Sequence, residues 1–164
     1  MTLNVQNTGM AVTTDIGNPK DVHPLNIQEV GKRLAAIAFN RTYKKRMVDS
    51  GPTFKSVKIV GNKIVVSFEN LGSGLMTTDI NGVVKGFELA GSDQKFYEAT
   101  ARIEGKTLVI SSENAGSPIA VRFGWAGDTS ACNLFNKEGF PAVPFRTDDW
   151  KTVTKNEKYK TSNP

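Results

Sequence analysis

Apolar residues recur along this chain in two rhythms. Between Asn26 and Tyr43 they return at helical spacing: Ile27, Val30, Leu34, Ile37 and Ala38 share one stripe, and Lys32, Arg33 and Arg41 fall off it. Asn26 can cap this helix, and Glu29, three residues on, can complete a capping box. Leu25 and Val30 can close a hydrophobic staple across the same end. The basic run Lys44–Arg46 suits the negative end of a helix dipole, so the helix is expected to stop near Tyr43. Ahead of it, Met10–Ile16 is mostly apolar or β-branched and predicts a strand, followed by a Gly-Asn-Pro loop.

From about residue 50 the rhythm becomes alternation. Ile64, Val66 and Phe68 point one way and Val65 and Ser67 the other; Ala99, Ala101 and Ile103 repeat the pattern, as do Ile119, Val121, Phe123 and Trp125. Gly61–Asn62 between two such runs signals a hairpin. Turn residues at this cadence predict an antiparallel β-sandwich. The expected fold class is therefore mainly β, a sandwich preceded by a strand–loop–helix segment of the kind that builds α/β domains. The expected division is 1–46 for that segment and 47–164 for the β-unit, whose polar end, 151–164, should fray. A lone strand–loop–helix piece cannot bury its own stripe and must dock on the β-unit or on something else.

Composition narrows the class. The 38% hydrophobic and 23% charged residues fit a folded globular chain rather than a disordered one. No apolar run approaches the roughly 20 residues of a membrane span, and Met1–Met10 does not read as a secretory leader. The patterned text starts directly, as a piece cut from a longer protein would. The single Cys132 and single His23 exclude an internal disulfide and the usual zinc clusters. The net charge of +5 is concentrated in residues 20–46 and 151–164. No aromatics interleave with the basic residues of the helix, so a solvated face is expected and neither nucleic acid nor membrane is a predicted partner.

Chemistry gathers around that one histidine, in Thr13–Asn26. In extended backbone, residues two apart face the same side, and Pro24 pushes His23 toward extended geometry. Asp21 can then hold one ring nitrogen and leave the other outward in a fixed tautomer, as a carboxylate prepares a general base. The same residues also permit a structural reading, with Asp21 capping a turn and Pro24 opening the helix.

The stretch Asn7–Ala35 resembles the block that closes the catalytic domain of sialate O-acetylesterase-like enzymes, members of the SGNH (GDSL-like) hydrolase superfamily. Leu71–Leu75, Lys85–Gly91, Val121–Ala126, Asn133–Gly139 and Pro144–Trp150 are similar to later blocks in the same order, so the resemblance spans about residues 7–150. It implies Ser-His-Asp catalysis in which His23 matches the catalytic histidine and Asp21 the acid of an Asp–x–His–Pro block. The wider superfamily places that acid three residues before the histidine, where this chain has Lys20, and Asp15 is the reserve candidate. The nucleophilic serine of such enzymes lies in a Gly–Gln–Ser–Asn-type block that this sequence lacks. Gly91–Gln94 and Gly127–Ser130 are only lures in turns, and there is no G-x-S-x-G.

The resemblance thus implies the C-terminal part of an esterase that removes O-acetyl groups from sugars, with no metal or organic cofactor implied. Its partners would be the missing N-terminal catalytic segment with its serine and an O-acetylated sugar, the whole enzyme being secreted or periplasmic. The β-unit would be structural, or else a carbohydrate-contacting surface, with Trp150, Asp149 and Arg146 the foremost contacts and Trp125, Phe135, Phe140 and Asp148 further ones. The alternative from another class is a non-catalytic β-sandwich that binds carbohydrate or is purely structural.

Overall fold

The computed structural model describes residues 5–21, 23 and 25–152. Asn26 caps α1 (Ile27–Arg41), its side chain accepting from the Glu29 backbone N–H at 3.2 Å. The Glu29 carboxylate turns to Lys32 Nζ, 2.5 Å away. The helix stops two residues before Tyr43: the N–H groups of Thr42 and Tyr43 both return to Ala38 O, and Lys45 N–H reaches Phe39 O through Lys44 at φ +56°. This closes the last carbonyls in the manner of a left-handed C-terminal cap.

Among the described residues nine strands follow: β1 (Thr53–Val60), β2 (Lys63–Glu69), β3 (Leu75–Thr77), β4 (Val83–Ala90), β5 (Phe96–Glu104), β6 (Thr107–Ser111), β7 (Ala120–Phe123), β8 (Leu134–Asn136) and β9 (Phe145–Arg146). The chain is mainly β, as its alternation predicts. Seven strands form one antiparallel sheet in the order β1-β2-β6-β5-β4-β7-β9, and β3 pairs with β8 in a second sheet. The predicted hairpin forms with Gly61–Asn62 as its two-residue turn, Gly61 at φ +59°, the sign a type II′ turn needs at its first central residue.

The large sheet curls until its edges nearly meet. Phe54 of β1 stacks on Phe145 of β9 with centroids 4.7 Å apart, and Val143 N–H donates to Pro52 O. Inside lies the predicted set Ile64, Val66, Phe68, Ala99 and Ala101, together with Phe87, Leu89, Leu108, Ile110, Val121 and Phe123. Leu75 and Leu134 of the small sheet close the same core. Fully buried Asn136 ties the linker on, giving Nδ2 to Ser50 O at 3.0 Å and accepting Phe140 N–H at 2.9 Å.

Three local expectations fail. Met10–Ile16 forms no strand; the segment ends in a turn with Ile16 N–H on Thr13 O. Side chains take the place of a ladder: Thr8 O accepts from Arg41, Val12 O from Arg33 and Thr14 O from Thr129. The apolar stripe of α1 meets this packing only in part, through Ile37 with Val30 and Ala38 half-buried. The buried residues are Arg33, Ala36 and Ile37, whereas Ile27 is 68% and Leu34 51% exposed. Leu25 is exposed as well and makes no staple. The third failure is the last step of one alternation. Val121 and Phe123 are buried, but Ile119 and Trp125 on either side of them are not.

Candidate active site

The loop that carries the histidine is set by local hydrogen bonds. Asn18 accepts Lys20 N–H on its side chain at 2.9 Å and Asp21 N–H on its carbonyl at 3.2 Å, a tight turn that a short polar side chain favours. The turn delivers Asp21 beside His23. One oxygen, Asp21 Oδ1, lies 2.9 Å from the His23 backbone N–H and 2.9 Å from ring Nδ1. A single carboxylate oxygen therefore fixes both the backbone and the imidazole of the residue two places on. Val22 and Pro24, on which the extended-backbone expectation partly rests, lie outside the described residues.

An ionised carboxylate can only accept, so Nδ1 carries the proton and Nε2 presents its lone pair. The hydrogen bond from the His23 backbone, then that from its ring, hold the Asp21 carboxyl below its usual range, which keeps it the acceptor at neutral pH. Both side chains are open to solvent, 87% exposed for His23 and 53% for Asp21. Among the described residues Nε2 has no hydrogen-bond partner. The pair can take a proton from a hydroxyl brought to it and return that proton to a leaving group.

Asp15, the reserve acid, is engaged elsewhere. Its two oxygens receive Arg33 Nη1 at 2.7 Å and Nη2 at 2.6 Å, a bidentate pair whose side chains are 15% and 6% exposed. The helical pattern left Arg33 off the apolar stripe; no local signal marks it as buried, because its partner lies 18 residues away.

Neither serine lure forms a strand-to-helix elbow. Gly91–Gln94 is a turn closed by Gln94 N–H on Gly91 O, and in Gly127–Ser130 the Ser130 hydroxyl bonds Asp128. The second turn nevertheless touches the histidine loop. Thr129 Oγ1 donates to Thr14 O at 2.9 Å, and Gly127–Ser130 and Gly17–Pro19 line a shared hollow. Among the described residues no group of three or more His, Cys, Asp or Glu side chains could hold a metal ion, and no helix is long and apolar enough to cross a membrane.

The carbohydrate-contact candidates divide. Arg146 is spent inside the protein: Nε donates to Asp148 O, and Nη2 to Asp148 Oδ1 and Trp150 O. Trp150 is half-buried against Phe96, centroids 5.6 Å apart, and Asp149 is exposed. Phe135 lies within β8 and Phe140 beside Glu29 and Arg33 of the helix. The alternation puts Trp125 on the inward face of its strand, although it is also a contact candidate. The structure puts it on the outer rim of an open groove with Glu88, Phe96, Arg122, Pro144 and Lys151. The signal for this was Gly124: at φ +60°, with its N–H on Gly86 O, it ends β7 and cancels the alternation one residue before Trp125.

Against known proteins, no family model matches the chain, and no curated protein does. Among solved structures it is similar to a carbohydrate acetylesterase from Xanthomonas citri, with 44% sequence identity and a TM-score of 0.85. The match covers 91% of this chain and 34% of that one, so the chain spans about a third of that protein's length.

Proposed function

We propose that this chain is the C-terminal part of a carbohydrate O-acetylesterase of the SGNH, sialate O-acetylesterase-like kind, with His23 as its general base and Asp21 as the acid that orients it. The observation that carries this reading is the Asp21–His23 pair, joined through one carboxylate oxygen with Nε2 presented outward, in a chain similar over 91% of its length to part of a carbohydrate acetylesterase. The exposed stripe of α1 supports the other half of the reading. Leu25, Ile27 and Leu34 form an apolar face at the mouth of the histidine loop, where an α/β catalytic segment carrying the serine would dock.

In the assembled enzyme, His23 Nε2 takes the proton of the serine hydroxyl as its oxygen bonds the acetyl carbonyl carbon. The tetrahedral intermediate breaks the ester C–O bond, and the imidazolium returns the proton to the departing sugar oxygen. Water repeats the sequence on the acetyl-serine and releases acetate. Asp21 holds the tautomer and stabilises the imidazolium without itself taking the proton. No metal enters this scheme. An acetylated glycan as substrate would place the whole enzyme outside the cytoplasm.

The test is reassembly. The chain alone is expected not to hydrolyse 4-nitrophenyl acetate. Coexpressed or fused with the serine-bearing segment it gains activity, and His23→Ala lowers kcat by roughly 10⁴-fold or more with the fold intact. Undiminished hydrolysis by folded His23→Ala refutes the reading.

A further inference from the structure

The groove under Trp125 is built in a way that its packing role leaves unexplained. Gly124 swings Trp125 out of the core and leaves it 44% exposed. Behind it the groove floor is braced. Arg122 lies 3.8 Å over the Phe96 ring and 5.9 Å from the Trp125 centroid, and Arg146 is 5.3 Å from the same indole. Both guanidiniums are anchored on Asp148, Arg122 through two bonds of 2.8 and 2.7 Å and Arg146 through the carboxylate at 2.6 Å and the backbone carbonyl at 2.8 Å. The Asp148 side chain is 1% exposed.

The charges nearly cancel. Two arginines face Asp148 and Glu88, with Lys151 at the rim. Such a surface offers a polyanion little net attraction. It is too polar for an apolar helix, yet it presents fixed aromatic rings flanked by a carboxylate and ammonium. That combination suits a sugar, which has an apolar C–H face and a rim of hydroxyls. The cavity, about 580 Å³ and open along its length, is of ligand size.

Its position adds a second argument. Trp125 and Ala126 line the groove, and the next four residues, Gly127–Ser130, line the hollow shared with Gly17–Pro19. That segment leads into the turn holding Asp21 and His23. The groove and the histidine loop therefore meet the same stretch of chain.

We propose that this groove is a glycan subsite, binding sugar units of an oligomeric substrate away from the acetyl group under attack, with Trp125 as stacking platform and Glu88 as hydroxyl acceptor. The choice of a glycan rests on the esterase reading, but the binding itself needs no serine and belongs to this chain alone.

The test uses intrinsic tryptophan fluorescence and calorimetry of the chain with xylohexaose, cellohexaose and mannohexaose, and with a heparin hexasaccharide as polyanion. Saturable binding of at least one neutral hexasaccharide is expected, weakened roughly tenfold or more by Trp125→Ala and several-fold by Glu88→Gln, with unfolding temperatures unchanged. His23→Ala should bind as the wild type does. In the reassembled enzyme, Trp125→Ala should raise KM for acetylated xylan while leaving 4-nitrophenyl acetate hydrolysis alone. No binding of any neutral hexasaccharide, equal binding by Trp125→Ala, or tighter binding of heparin overturns the subsite. His23-dependent esterolysis alongside any of these results would leave the esterase standing and remove the groove only.

Discussion

Replacing Asp15 and Asp21 separately by asparagine divides structure from chemistry. Asp15→Asn keeps the shape but removes the charge that pairs Arg33. It also sets an amide N–H against one of the two guanidinium N–H groups now bonded at 2.7 and 2.6 Å. Arg33 is 5% exposed, so its charge is left buried without a counter-charge, held by the remaining amide oxygen and by Val12 O at 2.6 Å. Breaking a buried pair by removing one partner costs about 3–5 kcal/mol. For a chain of this size, about 2–4 °C of melting temperature is lost per kcal/mol, so a fall on the order of 10 °C is expected. If the N-terminal segment and α1 release before the β-unit, the loss appears as an early helical phase in far-ultraviolet circular dichroism. Replacing both partners, Asp15→Leu with Arg33→Met, should recover part of the stability, because an apolar pair of similar size needs no charge compensation.

Asp21→Asn should do the opposite. Its carboxylate is exposed and, among the described residues, braces His23 alone, so melting should be unmoved. In the reassembled enzyme, however, the imidazole loses its enforced tautomer, and kcat should fall by about 10⁴-fold, the scale seen when a triad aspartate becomes asparagine. Asp15→Asn, assayed while folded, should keep most of its activity. If Asp15→Asn melts with the wild type, or abolishes turnover in folded enzyme while Asp21→Asn does not, the roles assigned here are reversed.

Other substitutions probe the packing and the interface. Arg122, by hydrogen bonding, and then Arg146 hold the Asp148 carboxyl below its usual range. A depressed folded pKa gives stability that is present above the unfolded value, about 4, and lost as pH falls through the folded one. Melting temperature should therefore be flat near neutrality and drop in acid, and Asp148→Asn should lower the plateau and flatten the acid limb; parallel profiles would show that this cluster does not set the acid limit. At Gly51 a Cβ would overlap Pro141 O and stand 2.8 Å from Phe140 O, so Gly51→Ala should destabilise by about 1–3 kcal/mol or more in urea unfolding. Gly31, with nothing within 4 Å of a built Cβ, should gain about 0.5–1 kcal/mol as alanine, and matching effects at the two glycines would contradict this packing. Leu34→Asp should leave the melting of the chain unchanged and improve its solubility, yet prevent recovery of activity with the serine-bearing segment; full recovery would mean that the α1 stripe is not the docking face.

What the sequence discloses here is what neighbours in the chain decide. The Gly61–Asn62 hairpin, the Asn26 cap and the inward set Ile64, Val66 and Phe68 each depend on residues a few places apart, and each forms as the pattern predicts. The Asp21–His23 contact belongs to the same class, since two-residue spacing and one tight turn create it. The misreadings sit where a distant partner decides. Arg33 is buried because Asp15 and Val12 O meet it from another segment. Trp125 is exposed because Gly124 turns away to bond Gly86 across the sheet. Met10–Ile16 has the composition of a strand, but side chains from α1 and from Thr129 answer its carbonyls.

The α1 stripe joins the two cases. Its helical spacing announces an apolar surface that must be buried, but of that stripe Ile37 alone is fully buried, beside Arg33 and Ala36 from off it. A helix packed on two sides needs two kinds of face. One is Arg33, Ala36 and Ile37, a charge that finds its counter-charge together with two small or apolar residues. The other is Ile27 and Leu34, bare hydrocarbon with no covering among the described residues. The second face begins near an imidazole whose outward nitrogen also has no partner among the described residues. One docked segment supplying an apolar underside and a serine hydroxyl would satisfy both deficits, which is why the proposed docking face and the proposed catalytic base are tested by the same reassembly experiment.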